Sequence, residues 1–313
     1  MSNYESKKSA PRQFRGMMPI MATAIDSNGA LDEGSQRRLV QYCLQCGSVA
    51  VGHFGFASEF HKISDRDRRR LIEVIVEEVA GRVPVFIGVT APGVGIALNY
   101  AREAEDLGAD LIMAALPYVH IPDTDESFLY YQALSDSVSL PIIVQDIPET
   151  SSILTAQLLW RMYKEIGGVQ HVKSEGKNFL GKSKELLDLS NGDMSVIGGG
   201  GGRHMIHLLR IGVTAFMTGT EALDLHGAAV KAYLQGDEDG AASIYFQKIL
   251  PYLQFYLDYP DELLKKMLHE RGVIDCPDTI APRAFSPMSE AEWREFNWVL
   301  NRIGWRKKWP RIP

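Results

Sequence analysis

The chain has 313 residues, 45% hydrophobic and 23% charged, the balance of an ordinary globular protein and not of a disordered or fibrous one. Its formal charge of -6 brings no clustered Lys and Arg to meet phosphate, which argues against a nucleic-acid partner. Three cysteines are too few for a disulfide framework, the polar stretch Met1 to Gln13 lacks the apolar core of a secretory signal, and no apolar run reaches the roughly 18 to 20 residues of a membrane span; a soluble, cytoplasmic protein with no membrane partner is expected.

Residues 1–14 read as a flexible N-terminal arm. A regular alternation follows. Met17 to Ala22 reads as a strand and Glu33 to Cys46 as a helix; Ser48 to Gly52 is the next strand, and Ser64 caps a helix from Asp65 to Ala80. The β-branched run Val83 to Val89 precedes a helix from Ile96 to Leu107 that stops at Gly108. Leu111 to Ala115, Pro141 to Gln145, Val169 to Lys173, Ser195 to Ile197 and Thr214 to Thr218 read as five more strands. The helices after them are Asp125 to Asp136, Thr155 to Glu165, Phe179 to Leu189, His204 to Arg210 and Ala222 to Gln235. Eight such units over residues 15–235 predict a (β/α)8 barrel, with an open doubly wound sheet as the structural rival. Three further helices, Asp239 to Leu257, Asp261 to Arg271 and Glu290 to Arg302, form a C-terminal helical extension over residues 236–313, packed on the barrel and without a sheet of its own.

Barrel active sites lie at the C-terminal ends of the strands. Those ends carry Gly52 to Glu59, Val89 to Ala91, Pro117 and Tyr118, Gln145 and Asp146, Lys173 to Glu175, Gly198 to Gly202, and Thr218 to Thr220. Lys173 ends the sixth strand. Inside the mouth, loss of hydration would make it a usable amine nucleophile; on the outside it would be a structural ion-pair partner, and the fold alone leaves both open. Glu175 lies two residues on and, in extended chain, points the same way. A lysine and a carboxylate converging on one pocket suit Schiff-base chemistry with an acid/base partner.

Together these residues give a resemblance covering nearly the whole chain from about Arg15. The Gly55-Phe56-Ala57-Ser58-Glu59 loop, Pro117-Tyr118, the Pro141 to Pro148 segment and Lys173 occur in the order seen in the dihydrodipicolinate synthase and N-acetylneuraminate lyase superfamily, which the chain resembles. The resemblance implies a class I, Schiff-base barrel whose imine-forming lysine is Lys173. It also implies a small 2-keto acid as substrate and a homo-oligomer, a tetramer built as a dimer of dimers. No cofactor is expected.

The departures from that pattern narrow it. The strand-two loop, usually Gly-Thr-Thr-Gly-Glu, has Phe56, Ala57 and Ser58 at its middle positions. The proton-relaying Tyr of strand five is replaced by Gln145 and its neighbouring Asn by Asp146. The tyrosine often contributed across the dimer falls at Val119, beside Tyr118, and the Arg that grips a dicarboxylate falls at Thr150. Gln145 has no titratable proton and cannot serve a tyrosine-type relay, so true dihydrodipicolinate synthase activity is not expected. Ser58-Glu59, Val144-Gln145-Asp146 with Pro148, Lys173 with Glu175, Met217-Thr218-Gly219, and Lys265, Met267 and Gly272 are similar to the L-2-keto-3-deoxyarabonate dehydratase branch. That branch implies that Glu175 does the acid/base work and that the reaction is dehydration of a 2-keto-3-deoxy sugar acid. The alternatives are a pyruvate-dependent aldolase or lyase using the same lysine, and a non-catalytic sugar-acid-binding barrel.

The expected site therefore has Lys173 and Glu175 as catalytic residues. Ala57, Ser58, Gln145, Gly198 and Gly199 are expected to bind substrate, and Tyr118, Asp146 and His171 are further candidates. Backbone N–H groups and the Ser58 hydroxyl would receive the substrate carboxylate, unless Ser58 only closes its turn. No metal is expected: Cys43 and Cys46 have no second pair or nearby His, and His53, His61 and His171 are scattered. The five-glycine run Gly198 to Gly202 lacks the Lys-Ser/Thr of a phosphate loop. The basic, aromatic run Trp305 to Trp309 is read as a surface tail.

Overall fold

The protein is described from a computed structural model that covers residues 12–283 and 287–305. Residues 1–11 of the expected arm, and all of the Trp305 to Trp309 tail except Trp305, lie outside the described residues.

The strands and helices run in the order β1 (Gly16–Met17), α1 (Glu33–Gln45), β2 (Val51–His53), α2 (Asp65–Val79), β3 (Val85–Gly88), α3 (Val94–Asp106), β4 (Leu111–Ala114), α4 (Thr124–Ser137), β5 (Ile142–Asp146), α5 (Ala156–Glu165), β6 (Val169–Ser174), α6 (Phe179–Leu189), β7 (Ser195–Gly198), α7 (Met205–Arg210), β8 (Ala215–Phe216) and α8 (Leu223–Leu234). The annex continues as α9 (Glu238–Ile244), a π turn (Tyr245–Ile249), α10 (Leu250–Asp258), α11 (Pro260–Glu270) and α12 (Glu290–Arg302). The fold is a (β/α)8 barrel followed by C-terminal helices. By contacts the chain divides into two compact units, one drawn from Met1–Arg15 and Pro84–Met217, the other from Gly16–Val83 and Thr218–Pro313.

In the first unit, strands β3 to β8 pair in sequence order, all in parallel. Parallel strands covered on both faces need continuous apolar runs. Ile142, Ile143 and Val144 of β5 supply one, each fully buried. The register sets Gln145 opposite Lys173 and Asp146 opposite Ser174 across β5 and β6. Ser174 in turn faces Gly198 across β6 and β7. Helix α5 begins at Thr155, whose hydroxyl accepts the Leu158 N–H and satisfies one of the orphan donors of its first turn.

Two expected elements of the second unit are cut short or broken at a proline. The strand expected over Met17 to Ala22 is regular only as β1, with one further bridge at Ile20 and Gly52. Pro19 has no N–H to give a ladder, although its carbonyl still accepts from Gly52 at 3.0 Å. The helix expected from Asp239 to Leu257 is broken into α9, the π turn and α10. Pro251 at the start of α10 cannot donate to the carbonyl of Gln247, and the ladder widens just before it. Buried polar contacts fasten the annex within this unit. The Tyr252 hydroxyl lies 2.8 Å from His226 Nε2, and Arg271, 2% exposed, donates to Tyr42 Oη at 2.6 Å and meets Asp224 at 2.9 Å.

Candidate active site

Strand β6 runs Val-Gln-His-Val-Lys-Ser, and its period of two places His171, Lys173 and then Glu175 on one face. Lys173 Nζ lies 2.9 Å from Glu175 Oε1, with side-chain exposures of only 7% and 13%. Gln145, the register partner of Lys173, donates from Nε2 to the same Glu175 oxygen at 2.6 Å. The other carboxylate oxygen accepts the Gly200 N–H at 3.1 Å. The Glu175 main chain is also held, its N–H donating to Asp146 O at 3.2 Å, so the strand ladder continues one residue beyond β6. Burial pushes the Glu175 carboxyl up. The Lys173 charge, the Gln145 and Lys173 hydrogen bonds and the Gly200 N–H outweigh it and hold the group below the ordinary carboxylate range. Glu175 is therefore a carboxylate held at the amine by three donors.

The glycine run is shaped by this carboxylate. A Cβ on Gly199 would come within 2.6 Å of Glu175 Oε2, 2.7 Å of Glu175 Cβ and 3.1 Å of Lys173 Cε. A Cβ on Gly198 would strike the Phe216 ring at 2.7 Å. Any side chain at Gly199 displaces Glu175, and if Glu175 is the acid/base group a displacement of about 1 Å costs roughly 100-fold. Gly199→Ala is thus expected to lower kcat by about 100-fold while the fold persists. Steady-state kinetics beside a circular dichroism melt checks this; an Ala variant with normal kcat would show that Glu175 tolerates the shift.

A second buried ion pair lies beside the first. Lys182 of α6 places Nζ 2.7 Å from Asp146 Oδ2. The same ammonium donates to Ser151 Oγ at 2.7 Å, Leu154 O at 2.8 Å and Ser151 O at 3.0 Å. Asp146 is fully buried; burial pushes its carboxyl up to about 6, against the pull of Lys182 and Ser151 and with the help of the Glu175 charge. Lys182 was not among the residues expected at the site. Its signal in the sequence is its place on the buried face of α6 with Phe179, Ser183 and Leu186, where a lysine needs a partner.

The other expected residues fall as follows. His171 is fully buried against Phe14, with ring centroids 5.5 Å apart, and neither ring nitrogen has a hydrogen-bond partner; burial lowers its pKa to about 4, so it is neutral near pH 7. Tyr118 is 42% exposed on the segment after β4. Ala57 and Ser58 belong to the second unit, in a 3-10 turn over Phe56–Ser58. There Ser58 Oγ gives its proton to Met21 O at 2.6 Å and accepts the Phe54 N–H at 3.0 Å, bracing the turn. Glu59, which follows in the left-handed conformation, is buried and accepts from Ile280 N at 2.6 Å and Lys62 Nζ at 3.3 Å. Among the described residues no group of three or more His, Cys, Asp or Glu is placed to hold a metal ion, and no helix is long and apolar enough to cross a membrane.

The dihydrodipicolinate synthetase family matches residues 13–302. L-2-keto-3-deoxyarabonate dehydratase of Azospirillum brasilense is 32% identical over 277 residues, covering 86% of this chain and 88% of the relative. A 4-hydroxy-tetrahydrodipicolinate synthase of Pseudomonas putida is 29% identical over 242 residues, covering 75% and 80%. Among solved structures, the 4-hydroxy-tetrahydrodipicolinate synthase of Methylacidiphilum fumariolicum superposes with a TM-score of 0.86 at 20% identity, covering 93% of this chain and 96% of that one. With a family match over nearly all of its length, the chain belongs to the dihydrodipicolinate synthetase family of lyases.

Proposed function

We propose that the chain dehydrates a 2-keto-3-deoxy sugar acid through a Schiff base on Lys173, with Glu175 as the acid/base residue. The observation that carries this reading is a carboxylate 2.9 Å from the lysine, just past the end of the same strand, with an amide, Gln145, as its neighbouring donor. The likeness to the Azospirillum dehydratase supports it.

The chemistry follows from one proton moving on one carboxylate. Attack requires a free amine; the Lys173 proton is given up to solvent while Glu175 stays a carboxylate beside it. The amine adds to the C2 carbonyl to give a carbinolamine. A solvent proton reaches the carbinolamine oxygen, water leaves, and the iminium forms beside a carboxylate that stabilises it. The iminium acidifies C3; Glu175 removes one C3 proton to leave an enamine, then delivers it to the C4 hydroxyl, which departs as water. Hydrolysis of the imine frees Lys173. From the five-carbon acid this leaves 5-hydroxy-2-oxopent-3-enoate; loss of a C5 proton and protonation at C3 shift the double bond to C4–C5, and the resulting enol ketonises to 2-oxoglutarate semialdehyde.

The second reading is an aldol-type lyase that releases or consumes pyruvate, favoured by the several relatives named as 4-hydroxy-tetrahydrodipicolinate synthases at 28–30% identity. Gln145 weighs against it, since an amide cannot relay a proton as a phenol does. Borohydride trapping followed by mass measurement separates the two. Incubation with 2-keto-3-deoxypentonate is expected to give a reduced adduct on Lys173 and loss of water without pyruvate. Pyruvate release would favour the lyase, and the absence of any adduct with a panel of 2-keto acids would overturn both enzyme readings.

A further inference from the structure

Buried lysines are uncommon because desolvation disfavours the ammonium, and one that is retained is surrounded by acceptors. Lys182 is 8% exposed and reaches four oxygens, three of them on the segment Ser151–Leu154 that links β5 to α5 and the fourth on Asp146 at the end of β5. The ammonium thus ties α6 to both ends of the β5–α5 connection. Asp146 is in turn the residue whose carbonyl receives the Glu175 N–H at 3.2 Å. The packing between them leaves no slack: a Cβ on Gly176, the residue after Glu175, would lie 2.3 Å from Ser151 Oγ and 2.9 Å from Asp146 Oδ2. The chain on the far side of Glu175 is therefore pressed against the same two groups that Lys182 grips.

We propose that Lys182 is the positioning residue of Glu175: by clamping Asp146 and Ser151 it fixes the main chain that holds the carboxylate at Lys173 and at the reacting carbons. This rests on the reading of Glu175 as the acid/base group. Lys182 touches neither the Lys173–Glu175 pair nor, on this proposal, the substrate. It acts through Asp146 O and through the contact of Ser151 with Gly176. Its loss should leave the nucleophile competent and slow only the steps that need the carboxylate in register.

The test uses the full chain and 2-keto-3-deoxypentonate, with borohydride quenching at successive times. Lys182→Met is expected to form the Lys173 adduct at a rate close to that of the unaltered chain. The trapped species should then be mainly the adduct that still carries its C4 hydroxyl, with kcat lowered roughly 10- to 100-fold and KM changed less than about threefold. A general loss of structure would slow adduct formation and dehydration together. Unchanged partition and unchanged kcat in Lys182→Met would overturn the proposal, as would equal slowing of both steps. If Lys182→Met does not fold, Ser151→Ala, which removes one hydroxyl from the clamp, is expected to show the same partition with a several-fold fall in kcat; a Ser151→Ala chain with normal partition then overturns it. Glu175→Gln, run in parallel, keeps the two failures apart. If it dehydrates at the normal rate, the assignment of Glu175 fails, whereas a normal Lys182→Met beside a blocked Glu175→Gln rejects the clamp alone.

Discussion

Lys173→Met is expected to abolish turnover, lowering kcat/KM by at least about 10^4-fold, and to give no borohydride adduct with any 2-keto acid. Lys182, the neighbouring buried lysine of the same unit, is not free to substitute: its ammonium is committed to Asp146, Ser151 and Leu154. The same change should cost stability. Glu175 is left as a carboxylate with 13% side-chain exposure and no cation beside it, and breaking one side of a buried pair costs about 3 kcal/mol. The double change Lys173→Met with Glu175→Leu removes both charges and should recover most of that loss while staying inactive. Chemical denaturation of the single and double variants checks it. A single variant as stable as the parent would mean that the pair contributes nothing to the fold, and residual turnover above about 1% would remove Lys173 from the chemistry.

Glu175→Gln should lower kcat by roughly 10^2- to 10^4-fold, the usual yield of a general acid/base. Glutamine keeps the shape and accepts the Gly200 N–H, but it can take no proton from C3. The adduct on Lys173 should still form and should retain its hydroxyl. The pH dependence has a definite sign. Burial raises the Glu175 carboxyl, but Lys173, Gln145 and the Gly200 N–H more than offset this, so its folded pKa is depressed. The stability it contributes is fully present above the unfolded carboxylate value and is lost as pH falls through the lower, folded value. Turnover should accordingly hold its Glu175-dependent rate down to the ordinary carboxylate range and fall only below it. A Glu175→Gln chain that turns over normally would remove the acid/base assignment.

The order of strands and helices is legible largely because β3, β5 and β7 are short β-branched or apolar runs closed by Gly or Asp. Such runs specify a buried parallel strand whatever their partners. The failures came where one residue overrides a pattern. Pro19 shortens β1, and Pro251 inserts a π turn into an otherwise helical stretch. In the site, the side-by-side placement of Lys173 and Glu175 followed from the period of a strand, a local property. The contacts of Gln145 and Lys182 with these carboxylates span 30 and 36 residues, and no local pattern encodes which acid a buried lysine finds. Ser58 is a similar case. Its hydroxyl is spent on Met21, 37 residues earlier, a partner invisible in the Gly55 to Glu59 loop itself.

One feature of β6 bears on how such an enzyme can change. Lys173 and Glu175 are separated by a single extended residue, Ser174. A lysine on β6 served by a group on β5 depends on interstrand spacing, and so on the packing of two layers. On the proposed function, the distance between nucleophile and proton carrier is written into a tripeptide. Substitutions in the loops around the site can then accumulate without retuning the pair. Substrate range and reaction chemistry become separately heritable, and a design that transplants Lys-Ser-Glu with its Gly199 clearance carries the core of the chemistry as one unit.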